Sequence, residues 1–251
     1  NFTTWDIYNH EVLAYIDGKK VTIPFNINTL YEVFPTSKAK ALEEKLLETY
    51  DYNSKVPILE LKKSTDKDLQ FLADFVYDKI FVNYTAKQWG MKPEEMDGAV
   101  TARAPVFIGR DNRYLNDSYQ MLPKHGYTAM INSMLNHKNI KIMLNTDFKE
   151  ICELKEKDFY LFGSKFDGKV IYTGQIDELF EHKFGELPYR SVDMKFETVE
   201  CEFYQEKATV NYPNDYDFTR ITEFKHIHPT NSTKTTILKE YPQEYIIGQN
   251  T

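Results

Sequence analysis

Four runs near the C-terminal end, residues 193–204, 208–212, 218–228 and 235–241, alternate polar and apolar residues, and this constrains the fold more than any other feature of the chain. Successive side chains of a strand point to opposite faces, so a two-residue period means a sheet with one face covered, as is usual for antiparallel sheets. Upstream, Asp17-Gly18 sits between two β-prone runs, residues 12–16 and 20–24. That pair favours a tight two-residue turn, so a hairpin is expected there. The period then becomes helical. After Pro35, Thr36 or Ser37 can cap a helix with Leu42, Leu46 and Tyr50 on one face. A second helix begins near Ser64-Thr65-Asp66 and repeats Leu69, Leu72, Val76 and Ile80, with Asp68, Asp74 and Asp78 toward water. A third covers about residues 128–136, pairing Met130 with Met134 and Ile131 with Leu135. Short β-rich runs follow at 140–144 and 169–173. Hairpin, helices, then sheet is the segregated order of an α+β protein.

The 251 residues suffice for a substantial core, and a composition of 41% apolar and 27% charged residues is that of a globular chain. A net charge of −7 disfavours a nucleic-acid binder, which needs a dense basic face. Two cysteines, Cys152 and Cys201, are too few for a disulfide framework and have no zinc-ligand spacing around them, so a reducing, cytoplasmic setting is expected. No apolar run is long enough to cross a bilayer. The first residues carry neither a signal-like apolar run nor an initiator Met, and the sequence reads as the middle of something longer.

No Gly-x-Ser-x-Gly nucleophile turn, P-loop or Gly-x-Gly-x-x-Gly occurs among the ten glycines. His226-Ile227-His228 would place two imidazoles on one strand face, but no third ligand accompanies them, so they read as solvated strand residues and no metal is expected. Residues 81–90 are more informative. There a helix end offers Tyr84 and Trp89 as flat surfaces, with Thr85, Lys87 and Gln88 as hydrogen-bonding groups, a pattern suited to stacking a base or a hexose; packing of core aromatics would look the same. Three arginines stand outside the amphipathic helices. Arg103 lies in a stretch of small residues suited to a pliable loop, Arg190 follows Leu187-Pro188-Tyr189, and Arg220 shares a strand face with Phe218 and Thr222. A planar guanidinium on such a face calls for a diphosphate or for a carboxylate partner.

Several of these strings, in one order along nearly the whole chain, resemble the UDP-galactopyranose mutase family. They are Tyr8-Asn9-His10-Glu11-Val12, Ile23-Pro24-Phe25-Asn26-Ile27-Asn28-Thr29, Asn83-Tyr84-Thr85-Ala86-Lys87-Gln88-Trp89 and the loop ending in Arg103. They continue with Leu122-Pro123-Lys124-His125-Gly126-Tyr127-Thr128, Ile171-Tyr172-Thr173-Gly174-Gln175-Ile176-Asp177, Leu187-Pro188-Tyr189-Arg190-Ser191, Val210-Asn211-Tyr212 and Phe218-Thr219-Arg220-Ile221-Thr222-Glu223. The resemblance implies a flavin-dependent isomerase that interconverts UDP-galactopyranose and UDP-galactofuranose for cell-surface polysaccharide. In that family reduced FAD attacks the anomeric carbon through its N5, and no side chain is the nucleophile. It further implies Trp89 beside the galactose, Tyr84 and Thr85 on the uridine, and Arg103 and Tyr114 at the diphosphate. Asn9, Asn211 and Arg220 would line the substrate pocket, and Arg190 and Arg220 would face the flavin.

The chain departs from the family by beginning downstream of its dinucleotide fingerprint and ending before its C-terminal tyrosines. We therefore expect a β-hairpin entry segment (1–35), a helical substrate domain (36–138) with a mobile loop at about 96–120, short strands resembling part of a Rossmann-like FAD domain (139–180) and an antiparallel sheet domain (181–251). FAD belongs to the longer parent; the 251 residues alone are expected to bind it weakly and not to turn over. Exposed strand edges would favour association, and a homodimer fits the family. A non-catalytic nucleotide-sugar-binding module, or another enzyme of the flavin oxidase group, would share part of this pattern.

Overall fold

The computed structural model of the chain describes residues 2–92, 95 and 105–249. The chain is mixed α and β and divides into two compact units, one of Asn1–Asp6 with Leu122–Pro188, the other of Ile7–Met121 with Tyr189–Thr251.

The larger unit holds most of the regular structure. After β1 (Trp5–Ile7), strands β2 (Val12–Ile16) and β3 (Lys19–Ile23) form the expected hairpin. Its turn uses two left-handed residues, Asp17 at φ 48° and Gly18 at φ 83°, as a type I′ turn requires. Helix α1 (Ile27–Val33) opens on a capping box: the Asn26 side chain accepts from the backbone N–H of Asn28 and Thr29, while the Thr29 hydroxyl takes the Asn26 N–H. Helix α2 (Thr36–Thr49) forms where expected, but neither Thr36 nor Ser37 caps it. Pro35 holds the N-cap position, and its ring fixes the backbone for the turn that follows.

Strand β4 (Lys55–Pro57) and helix α3 (Ile58–Leu61) lead to α4 (Lys67–Val76), capped by the Asp66 carboxylate. A π-turn, Tyr77–Phe81, joins α4 to α5 (Val82–Trp89), which ends on left-handed Gly90. Strand β5 (Pro105–Phe107) pairs antiparallel with β4, and β6 (Met121–Pro123) follows. Leu30, Leu42, Leu46, Ile58, Leu69 and Leu72 make the dry centre of these helices.

Strands β10 (Arg190–Val199), β11 (Thr209–Asn211), β12 (Arg220–Glu223) and β13 (Thr235–Glu244) realise the four alternating runs. The sheet has six strands in the order β10-β13-β12-β11-β2-β3, because the N-terminal hairpin joins it through a parallel pairing of β2 with β11. Every other neighbour pair is antiparallel. The third run is shorter than its alternation suggests. At Phe224 it turns into a 3₁₀ segment, Phe224–His226, so His226 and His228 do not share a strand face. No cluster of metal-binding residues occurs among the described residues.

The smaller unit contains the expected helix, Gly126–Leu135, and a small antiparallel sheet of β7 (Cys152–Lys155), β8 (Asp158–Leu161) and β9 (Ser164–Lys165). The runs 140–144 and 169–173 are not strands. Their β-branched residues have the propensity, but no described chain pairs with them; Leu144 and Ile171 are 78% and 88% exposed. Among the described residues no helix is long and apolar enough to cross a membrane.

Candidate functional site

A cleft of about 370 Å³ opens in the larger unit. Its walls come from the β3–α1 connection (Ile23, Pro24, Phe25), the last turn of α4 and the π-turn (Val76, Ile80, Phe81), α5 (Tyr84, Thr85, Trp89), β5 (Pro105, Phe107) and β11 (Asn211). Most of these walls are apolar, and a few polar groups converge between them, which is the make-up of a small-molecule site.

The π-turn sets the face that α5 presents. Burial along the chain follows Leu69, Ala73, Tyr77, Phe81 and Thr85, steps of four residues that a 3.6-residue helix would rotate away from the core. The wider π-turn absorbs that drift. Thr85 then becomes part of the wall, while Tyr84 is half-buried and Trp89 is 40% exposed at the helix end.

Lys87 anchors this helix. Its ammonium donates to the carbonyls of Tyr212 (3.0 Å), Asn214 (2.5 Å) and Tyr216. The Asn214 amide donates to the Lys79 carbonyl inside the π-turn (3.1 Å) and its side-chain oxygen accepts from Asn83 (2.9 Å). Burial lowers the Lys87 pKa, opposed by Asp215 and Asp217. The loop held in this way carries Pro213 to the cleft. Behind it Tyr15, Tyr212, Tyr216, Phe218 and Tyr241 pack ring against ring, with centroids 4.9–6.1 Å apart. This cluster accounts for part of the chain's 15% aromatic content. Burial pushes the Tyr212 phenol up to about 12.

Arg220 does not line the cleft itself but brings a cation within electrostatic reach of it. Its Nε donates to Glu240 Oε1 at 2.7 Å, and this bond holds the guanidinium further above its usual value. Strand pairing fixes the geometry, since Arg220 lies directly opposite Glu240 in the β12–β13 ladder. The Glu240 carboxylate is nearly buried, whereas the Arg220 side chain is 43% exposed, so donors on the guanidinium remain open to a ligand. Arg220 lies within electrostatic reach of Tyr84 and Tyr114; burial raises the Tyr84 pKa and the Arg220 charge opposes that rise.

The other expected positions divide. Tyr114 and Asn211 line the cleft, and the Asn211 Oδ1 is buried with no hydrogen-bond partner among the described residues. Arg190 stands against Gly90, where a β-carbon would come within 2.9 Å of its Nη1, and its buried Nε has no partner among the described residues. Only glycine leaves the guanidinium that space. Asn9 is exposed and does not line the cleft. Arg103 lies outside the described residues. The sequence offers Lys87 as a hydrogen-bonding group for a ligand, whereas its ammonium is taken up by three carbonyls of the chain; nor does the sequence single out Glu240, or His10, whose ring meets Tyr114 edge-on with centroids 5.8 Å apart. Local pattern carries no signal for such contacts, because Arg220 and His10 are brought together by the sheet.

Comparison with known proteins is consistent along the chain. The family described as UDP-galactopyranose mutase matches residues 79–251. The chain is 31% identical over 252 residues to the Klebsiella pneumoniae protein named "Probable UDP-galactopyranose mutase", covering 96% of this chain and 62% of that protein. It is 28% identical over 242 residues to the dTDP-fucopyranose mutase of Escherichia coli, with the same coverage, and 26% identical over 245 residues to the UDP-galactopyranose mutase of Mycoplasma pneumoniae, covering 96% and 61%. The chain thus spans about three fifths of the length of these relatives. A crystal structure of reduced UDP-galactopyranose mutase superposes with a TM-score of 0.55 at 15% identity, over 96% of this chain and 58% of that one, which shows a shared fold.

Proposed function

The chain belongs to the UDP-galactopyranose mutase family, and we propose that its cleft is the sugar-nucleotide site of a flavin-dependent mutase that interconverts UDP-galactopyranose and UDP-galactofuranose. The observation that carries this reading is the convergence on one cleft of aromatic, hydroxyl and amide groups, Tyr84, Thr85, Trp89, Tyr114 and Asn211, with the Arg220 guanidinium within electrostatic reach of two of them. Tyr84 and Trp89 offer faces to the uracil and the hexose, and Arg220 draws the diphosphate with Arg103. Glu240 aims the Arg220 fork, and the apolar walls from Ile23 to Phe25 and from Ile80 to Phe81 keep water from the sugar.

FAD is the cofactor this family implies. The buried, unpartnered Arg190 Nε and Asn211 Oδ1 suit a polar group with both donors and acceptors, such as the edge of an isoalloxazine, so Arg190, Arg220 and Asn211 are the residues that would meet it. Reduced FAD, if bound there, would supply the nucleophilic electron pair that no side chain of the cleft offers. The 251 residues contain no Gly-x-Gly-x-x-Gly to seat the FAD pyrophosphate on a helix N-terminus. We therefore expect the chain alone to hold FAD weakly and not to turn over; stoichiometric visible flavin absorbance in the purified chain would contradict this.

The test is titration of UDP-galactose into a Trp5→Phe background, so that Trp89 alone reports. Quenching is expected, with affinity falling as salt rises because the arginine–diphosphate attraction is screened. Arg220→Ala should weaken binding by about tenfold or more. If Arg103→Ala and Arg220→Ala both left binding unchanged, the diphosphate assignment would be wrong. Competition by a dTDP-sugar reads the base preference, the E. coli relative being a dTDP-fucopyranose mutase.

A further inference from the structure

His10 lies just before β2 and is held through both its backbone and its ring. Its backbone N–H donates to the Gln120 side chain (3.2 Å), and its carbonyl accepts from the Tyr114 N–H (2.7 Å). The ring is 5.7 Å from that of Tyr8 and 5.8 Å from that of Tyr114, the latter at an interplanar angle of 69°. Nδ1 is hydrogen-bonded to the Tyr8 hydroxyl at 3.2 Å. Among the described residues, the other ring nitrogen has no partner. So rigid a setting is more than a surface histidine needs; the ring is not itself part of the cleft wall, but it is set edge-on against Tyr114, which is, and lies within electrostatic reach of Arg220.

We propose that His10 is a further ligand-binding residue of this cleft: with Nδ1 taken up by the Tyr8 hydroxyl, its Nε2–H donates to the diphosphate of the bound sugar nucleotide, alongside Arg220 and Tyr114. The proposal rests on the sugar-nucleotide reading above. The charged and titratable groups around the ring support it. Burial and the Arg220 cation both lower the His10 pKa, which favours the neutral imidazole. Burial and then Glu11 raise that of Tyr8, which keeps the phenol protonated as the donor to Nδ1. The carboxylates tied to its neighbours have cationic partners: Glu11, which acts on Tyr8, pairs with Lys207 at 2.5 Å, and Glu240 pairs with Arg220 at 2.7 Å. Among the described residues no carboxylate is hydrogen-bonded to the His10 ring, which leaves Nε2 open to an incoming diphosphate.

A consequence follows for pH. A sugar-nucleotide diphosphate keeps a constant double charge across neutral pH, and next to His10 it must raise the imidazole pKa, so binding takes up a proton as pH falls. The experiment is titration of the whole chain with UDP-galactose from acid to mildly alkaline pH, together with NMR of histidine-labelled chain. Wild type should bind more tightly toward low pH, and the His10 ring signals should shift on binding, from the Nε2–H tautomer toward the doubly protonated form. His10→Phe, which keeps the ring packing on Tyr114, should lose the pH slope attributable to this site and weaken binding at alkaline pH by about tenfold, the size of one charge-assisted hydrogen bond. His10→Asn should restore most of the affinity without the slope. If His10→Phe binds with wild-type affinity and slope, or the His10 signals of the wild type do not move when UDP-galactose binds, the proposal is overturned while the sugar-nucleotide reading stands. If the wild type binds no UDP-galactose at any pH, both fall.

Discussion

Glu223 is fully buried at the end of β12, three residues beyond Arg220, and every group around its carboxylate is a donor. Oε1 accepts from the Tyr204 N–H (3.0 Å) and the Thr235 hydroxyl (2.6 Å); Oε2 accepts from the Gln205 N–H (2.9 Å) and lies 3.3 Å from His226 Nε2. Glu223→Ala would leave two backbone N–H groups and a hydroxyl without an acceptor, offset in part by no longer burying a charge. At about 1–3 kcal/mol per orphaned donor the net cost is about 3–5 kcal/mol. Glu223→Gln is the sharper test. Whichever way the amide turns, its NH₂ faces the N–H of Tyr204 or of Gln205, and only the Thr235 hydroxyl can rotate to accept, so about 1.5–3 kcal/mol should be lost despite identical shape. Urea unfolding followed by Trp89 fluorescence in the Trp5→Phe background reads the larger unit. With a slope of about 2–3 kcal/mol per molar urea, the midpoint should drop by about 1–2.5 M for Ala and about 0.5–1.5 M for Gln. A Gln variant with the wild-type midpoint would refute the argument, because it would mean the carboxylate does not hold both N–H groups.

Lys87→Met keeps the stem but removes the donor to three carbonyls, so it should cost about 2–3 kcal/mol in the same urea assay and weaken UDP-galactose binding by releasing the 212–217 loop. Asn26→Ala breaks the α1 capping box and the amide bond to Asn112 Oδ1 (3.2 Å); thermal unfolding should register about 2 kcal/mol. For Tyr212 the folded-state pKa is raised from 10.0 to about 12, so the unfolded chain loses its phenolic proton first. The stability tied to this residue is complete below about pH 10 and is lost as pH rises toward about 12. Tyr212→Phe should flatten the stability profile in that interval, measured by urea midpoints at successive pH values.

Local chemistry made some elements readable. Asp17-Gly18 could hardly be anything but a hairpin turn, and Leu42 and Leu46 mark the buried side of α2 because helix and core agree there. Misreadings arise where tertiary partners decide. The runs 140–144 and 169–173 have strand propensity, but a strand exists only with a neighbour to take its hydrogen bonds. The β7–β8 hairpin escaped notice for the opposite reason. Its turn places Glu156 at φ 56° without the glycine or asparagine that would announce it, and the β8–β9 turn likewise uses Phe162 at φ 50° before Gly163. The candidate site was legible at Tyr84, Thr85 and Trp89 as a string, but not as a geometry.

The π-turn shows why. Periodicity of 3.6 residues starting from Leu69, Leu72 and Val76 continues through Ile80 to Asn83 and Lys87, which would direct Lys87 into the helical core and leave Thr85 to solvent. The chain instead widens at Tyr77–Phe81, so Phe81 and Thr85 take the buried positions and Lys87 swings to the carbonyls of the 212–217 loop. Tyr84 then faces the cleft beside Asn211. One irregular turn thus converts a helix that could only pack into one that packs along its first half and presents a ligand surface along its second. Helix and cleft are then coupled through Asn214, which bridges the Lys79 carbonyl and the Asn83 amide. Asn214→Ala should therefore weaken UDP-galactose binding more than it lowers the urea midpoint, by about threefold to tenfold against less than about 1 kcal/mol. A variant that lost stability and affinity in equal measure would show that the π-turn serves packing alone.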